Sequence, residues 1–135
     1  MVITAPPGPF IRAEVARRAW QAVSEADVEA LARASTENIV WHAAGRGPRS
    51  GDYRGRREVL DYLASLGDAT ERFDLDLEDV LVGDALTAIV LGLKGRRADR
   101  EVETGSILLL RFEGLRVAEV WAVPRDQMAI DEFWS

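Results

Sequence analysis

The 135-residue chain holds a single imidazole, His42, in the stretch Val40-Trp41-His42-Ala43-Ala44. A loop rich in glycine and arginine follows, Gly45-Arg46-Gly47-Pro48-Arg49-Ser50-Gly51. An imidazole with its ordinary pKa of about 6.5 is the side chain best matched to proton transfer at neutral pH, so His42 is the first candidate for an acid/base group. A histidine beside a tryptophan also serves as a hydrogen-bonded structural residue, and the sequence leaves both roles open. Other chemistries are closed. The chain has no cysteine, which removes thiolate nucleophiles, disulfides and Cys-ligated zinc, and one histidine makes a poor start for a His-based metal site. No metal and no cofactor are implied.

The arginines of the loop invite a phosphate-binding reading, because Gly45 and Gly47 resemble the start of a dinucleotide loop. That pattern fails: Ser50 stands where its last glycine belongs, Pro48 intrudes, and no Lys-Ser/Thr pair closes a P-loop. Arg56 and Arg57 precede a helical stretch, where the helix dipole disfavours cations. An arginine reaching over a pocket mouth to hold an anionic ligand stays open as a reading. Trp20, Trp41, Tyr53, Trp121, Phe133 and Trp134 supply either core packing or, as a set, the walls of a pocket for a hydrophobic, partly oxygenated small molecule.

Composition sets the frame for these candidates. A chain of this length fits one domain, residues 1–135, with residues 1–9 expected as a flexible lead because "APPGP" breaks regular structure. The apolar share of 47% with 30% charged residues is that of a water-soluble globular protein. With 23 acidic against 17 basic residues the net charge is -6, which disfavours a nucleic-acid partner. No segment reaches the ~18 apolar residues of a membrane span, and the N-terminus lacks the pattern of an export signal, so no membrane partner and a cytoplasmic location are expected. The dominance of arginine over the single lysine, with abundant alanine, fits a GC-rich bacterial source.

The elements that must position His42 and the aromatics follow from periodicity. Ile11, Val15, Ala19, Ala22 and Val23 predict a helix over 10–24, and Asp27 a helix N-cap ahead of Val28, Leu31 and Ala32. "ENIVWH" reads as a strand, and Val59, Leu60, Leu63 and Leu66 predict a third helix ending at Gly67 in a left-handed cap. From Phe73 onward the period is two. Phe73, Leu75 and Leu77 alternate with acidic residues, a tight turn is expected at Gly83-Asp84, a polar connection at 94–99 and another turn at Glu113-Gly114. The resulting four-strand meander is apolar on both faces around 89–93 and 107–110, so a second face needs covering, and a partner copy is the simplest cover. The tail "DQMAIDEFWS" is expected to fold back as a short helix, since Phe133 and Trp134 would not dangle in water.

Three helices, a strand between the second and third, and a curved meander describe an α+β cone: a cone-shaped curved antiparallel sheet wrapped around three helices, with an internal cavity. Nearly the whole chain, through "VWHAAGRGPRSGDYRGRREVLDYL", "GLRVAEVW" and "DQMAIDEFW", resembles the SnoaL-like and ketosteroid isomerase-like families of the nuclear transport factor 2 superfamily. The resemblance implies a general base a few residues before a Pro-Arg-Ser-Gly run. Here that run is Pro48 to Gly51, and the count lands on His42. It also implies two oxyanion donors, which fall near Trp20, able to donate from its indole, and at Leu108, which cannot donate. Each lost donor forfeits about 3–4 kcal/mol of transition-state stabilisation, so steroid isomerisation is disfavoured.

Epoxide hydrolysis of the limonene type is disfavoured as well. Val123 stands where a carboxylate is implied, and Arg97-Ala98-Asp99 falls in the expected turn. For SnoaL-type cyclases the resemblance implies an acidic base, sometimes with a nearby histidine, a pair that His42 and Asp126 would supply. The expected function is therefore a small-molecule pocket protein of the SnoaL-like cyclase/isomerase kind, with His42 as acid/base on a hydrophobic carbonyl-bearing substrate. The alternatives are a non-catalytic binding module or a dimerisation subunit with a filled cavity. Candidate catalytic residues are His42 and Asp126; candidate ligand-binding residues are Trp20, Trp41, Tyr53, Leu108, Trp121 and Trp134. The expected partners are a hydrophobic small molecule and a second copy in a homodimer.

Overall fold

A computed structural model describes residues 8–25 and 27–135. The expected lead over 1–9 lies mostly outside the described residues; within them, Gly8 is the N-cap of the first helix. That helix, α1 (Pro9–Ser24), carries proline at its start, where the missing N–H is no loss. Its buried residues are Ala16, Trp20 and Ala22, and Ala19 and Val23 line the interior, while Ile11 is exposed, so the expected inward face holds over the second half of the helix and not at Ile11. In α2 (Val28–Ala34), Asp27 caps as expected, its carboxylate accepting the Ala30 N–H at 3.1 Å.

The strands are β1 (Ser35–Ala43), β2 (Gly51–Arg54), β3 (Arg72–Val82), β4 (Thr87–Arg97), β5 (Arg100–Glu113) and β6 (Arg116–Pro124), with α3 (Arg56–Asp68) after β2 and α4 (Gln127–Trp134) at the end. They form one six-stranded curved, unclosed sheet in the order β2-β1-β6-β5-β4-β3. The architecture is the expected α+β cone. Two features extend it: β2 arises inside the glycine-arginine stretch, and β1 runs parallel to β6, so the sheet is mixed. Parallel pairing was not legible because it joins residues about 80 positions apart.

Local turns depart from expectation where longer ladders are available. The charged run 94–99 is mostly strand, and only Ala98 and Asp99 turn, Ala98 at φ 54°. Gly83 closes a wider turn, its N–H donating to the Leu86 carbonyl at 2.8 Å. Gly67 lies inside α3, which continues to Asp68. Gly114 does turn the chain between β5 and β6, at φ 62°.

The inner face of the sheet carries Ile39, Trp41, Ile89, Leu91, Leu108, Leu110 and Val120 against Ala16 and Trp20 of α1 and Val59 of α3. The helix α4 folds back as expected and closes one end of this core, with Phe133 and Trp134 packed beside Val102. Gly95 is required there: a methyl group on it would meet the Phe133 ring at 2.9 Å. Arg97 donates to the Phe133 carbonyl at 3.0 Å and Arg100 to the Glu132 carbonyl at 2.7 Å, placing two cations at the helix C-terminus where its carbonyls lack partners.

Candidate functional site

Between the helices and the inner sheet face lie two adjoining cavities of about 110 Å³ and about 50 Å³. They share Trp20, Val23, Trp41, Leu63 and Leu108 as walls. The smaller is apolar throughout except at Ser35 and Arg56. The larger opens toward the β1–β2 loop and α4, where Arg49, Ser50, Tyr62, Ser106 and Asp131 join Trp134 in its lining. A wider cleft of about 660 Å³, bordered by α2, α3 and β3, shares Val23, Leu63, Leu66, Phe73 and Leu75 with it and carries Asp68, Asp74 and Asp76.

The expected site residues divide between the two sheet faces. Trp20, Trp41, Leu108 and Trp134 line the cavities. Tyr53 stands behind the wall: its ring stacks on Tyr62 at 3.9 Å and its hydroxyl donates to the Arg49 carbonyl at 2.8 Å. His42, Asp126 and Trp121 are elsewhere. Successive strand residues point to opposite faces, and since Ile39 and Trp41 line the smaller cavity, His42 faces outward. The register of β1 sets Asp52 of β2 opposite it on one side and Trp121 of β6 on the other.

On that outer face the imidazole is fully engaged. Its Nδ1 lies 2.7 Å from Asp52 Oδ1 and its Nε2 2.6 Å from Glu119 Oε2, while Trp121 stacks along the ring at 5.4 Å. Ionised carboxylates only accept, so the ring that satisfies both is the imidazolium, donating twice. The hydrogen bond to Glu119 first and that to Asp52 second raise the His42 pKa above its ordinary value, against a smaller opposing effect of burial. Glu119 is held below the usual carboxylate range by His42 first, then by Arg111, which donates from Nε at 3.1 Å. A doubly donating imidazolium has no lone pair to offer as a base. Asp126 is likewise committed: it caps α4, accepting the Ala129 N–H at 3.0 Å, a role typically worth ~1 kcal/mol.

The polar wall residues that sequence reasoning did not single out are Tyr62, Ser106 and Asp131; of the loop arginines left open as holders of an anionic ligand, Arg49 is the one that lines the larger cavity. Tyr62 sits on the helical phase of Val59 and Leu66, and Ser106 on the inward phase of Leu108 and Leu110, so both had a periodicity signal. Burial raises the Tyr62 pKa far above the ordinary tyrosine value, keeping its hydroxyl neutral. Asp131 is the one carboxylate among the residues lining the two cavities, and it is a weak base. It accepts the Arg46 N–H and the Gln127 amide, each at 3.0 Å, and these contacts, the Arg46 N–H foremost, lower its pKa. Gly45 makes that docking possible, since at φ 98° any side chain on it would collide with Asp131 and Gln127. Trp41 carries its indole N–H into the core without a protein acceptor. Among the described residues no group of three or more His, Asp or Glu is arranged to hold a metal ion.

A curved sheet around helices with an apolar interior places the protein in the NTF2-like class of α+β cones, and solved structures agree. A protein from a soil-derived mobile gene cassette, Bal32a, superposes with a TM-score of 0.90 at 27% identity over 94% of this chain and 98% of its own. An NTF2-like protein from Burkholderia xenovorans matches with a TM-score of 0.82 at 16% identity, over 95% and 98%. A candidate SnoaL-like polyketide cyclase from a Jannaschia species matches with a TM-score of 0.79 at 14% identity, over 99% and 98%. The sequence model of the SnoaL-like domain matches residues 16–120, and the chain belongs to that family. No curated protein sequence matches it. No helix among the described residues is long and apolar enough to cross a membrane.

Proposed function

We propose that this SnoaL-like domain binds a small hydrophobic molecule in the cavity walled by Trp20, Trp41, Leu108 and Trp134, as a binding module without His42 chemistry. The observation that carries this reading is the separation of the two faces: the space is inside, and the one imidazole is outside, held by two carboxylates. In this reading His42 is a structural residue of the outer face, and no proton-transfer step is assigned to it. The adjoining volumes together match in size an engineered apolar cavity of ~150 Å³ that takes up benzene, so a single ring is the fitting occupant. Toluene titrated into the protein should perturb tryptophan fluorescence and shift methyl resonances of the cavity wall. Leu108→Phe, which fills the space between the two volumes, should weaken that binding at least about tenfold. Toluene that fails to bind, or binds as well to the filled variant, overturns the reading.

A second copy of the chain is proposed to cover the outer sheet face. Ile107 and Val123, paired across β5 and β6, are 41% and 45% exposed, and Trp121 and Leu109 adjoin them. The rim offers charges of both signs, Asp52 and Glu119 with His42 and Arg111, so a two-fold axis can set opposite charges against each other. Light scattering at micromolar concentration should report a dimer that Ile107→Asp converts to monomer; a monomeric parent protein sinks the proposal.

A further inference from the structure

Two arginines line the cavities without a carboxylate partner, and they differ: Arg56, in the apolar smaller volume, gives Nη2 to the Ser35 carbonyl at 2.5 Å, whereas Arg49 lies among the polar groups of the larger volume. Arg18, Arg33, Arg54, Arg72, Arg96 and Arg111 each lie within 4.0 Å of a carboxylate. Arg97 and Arg100 donate to helix-end carbonyls, and Arg12 to the turn at Gly83. Arg49 lines the larger cavity and is half-buried, yet no carboxylate of the described residues reaches it, although the chain has 23 acidic residues. Its guanidinium sits 5.0 Å from the centroid of the Trp134 ring and spends one contact, Nη1 to Ser65 Oγ at 2.6 Å. A guanidinium has five N–H donors, so most remain free. The backbone beneath it is fixed by the Tyr53 hydroxyl bound to its carbonyl.

The opposite charge nearest in the wall does not serve Arg49. Asp131 turns its oxygens to the Arg46 N–H and the Gln127 amide, more than ion-pair distance from Arg49. Ser106, 8% exposed and lining the same volume, makes no side-chain hydrogen bond within the described protein, leaving a neutral donor and acceptor on the β5 wall. The cavity thus has an apolar body and one polar end, with an unneutralised planar cation and a free hydroxyl. A planar guanidinium is matched in geometry by a carboxylate, and a charge-assisted pair in a partly desolvated site is stronger than a neutral hydrogen bond.

From this arrangement we infer that the ligand is a small monocarboxylic acid with a single-ring or comparably short branched apolar body, its carboxylate held by Arg49. The inference rests on the cavity reading above and adds the charge of the occupant. The carboxylates Asp68, Asp74 and Asp76 line the outer cleft and bear on the approach of such an anion, not on its seat at Arg49.

The test compares phenylacetate with phenylacetamide, equal in shape and differing in charge, by fluorescence and NMR titration near neutral pH, with toluene as the apolar reference. Phenylacetate is expected to bind at least about tenfold more tightly than the amide. The acid-to-amide ratio should fall to about one in Arg49→Gln and be largely kept in Arg49→Lys. Equal affinities in the unmodified protein, with toluene still bound, overturn the assignment of an acid while leaving the cavity reading in place. A preference that survives in Arg49→Gln overturns the role of Arg49. If none of the three compounds binds, the cavity reading fails and this inference fails with it.

Discussion

Trp41 and His42 are neighbours in sequence and belong to different worlds in the fold. Trp41 lies in the wall of both cavities with its indole N–H unpartnered, whereas His42, one residue on, makes two charge-assisted contacts on the outer face. The inner region is mostly apolar, with polar groups at the end of the larger cavity and Ser35 and Arg56 in the smaller one; the outer region is a ladder of paired charges beside an apolar strip. Chemistry-bearing residue types therefore concentrate on the face without a cavity. The lesson is that a residue type selects a possible reaction, but the parity of a strand decides whether a substrate can meet it.

The inner region depends on packing, so its disruption should give the largest effects. Phe133 is 2% exposed, meets Gly95 edge-on and sits at the end of the core closed by α4. Phe133→Ala should cost about 3–5 kcal/mol in urea unfolding, the range for removing a buried aromatic ring. A loss below about 1 kcal/mol would mean that α4 is not part of the cooperative core, and the contrast between a packed inside and a charge-laddered outside would lose one of its terms. The cavity tests at Leu108 and Arg49 probe the same region without dismantling it, because both residues border open space.

Much of the inner region was legible. The Asp27 cap, the fold-back of "DQMAIDEFWS", the turn at Gly114 and the cavity walls Trp20, Trp41, Leu108 and Trp134 all follow from period, cap chemistry or the family resemblance. The facing of His42 was not settled by β1 itself, because Val40 on the outer phase is as apolar as Ile39 on the inner one. Counting back from Pro48 identified a position and could not identify a face. Asp131 escaped for another reason, and Arg49 could not be told apart from the other loop arginines: each acts through a partner far along the chain, Arg46 with Asp131 and Arg49 with Trp134, and such pairs leave no periodic trace. Strand β2 was hidden by the glycines and charges of its short, exposed edge.

The outer region depends on charge, so its test is a pH profile of smaller amplitude. His42 has a raised folded-state pKa, so its contribution is fully present below its unfolded value of 6.5 and is lost as pH rises through the folded value. Glu119 has a lowered pKa, so its contribution is present above its unfolded value of 4.5 and is lost as pH falls through the folded value. Together they place the best stability of this face in the window from about pH 5 to somewhat above 6.5, with a decline on the alkaline side that belongs to His42. Hydrogen bonds to charged groups, discounted because Asp52 is half exposed, set the size of that decline at about 1–2 kcal/mol. His42→Gln should remove the alkaline slope in thermal melts while leaving toluene affinity unchanged, because the ring never reaches the cavity. A variant that keeps the slope, or that weakens toluene binding as much as Leu108→Phe does, would join the two faces that the geometry separates.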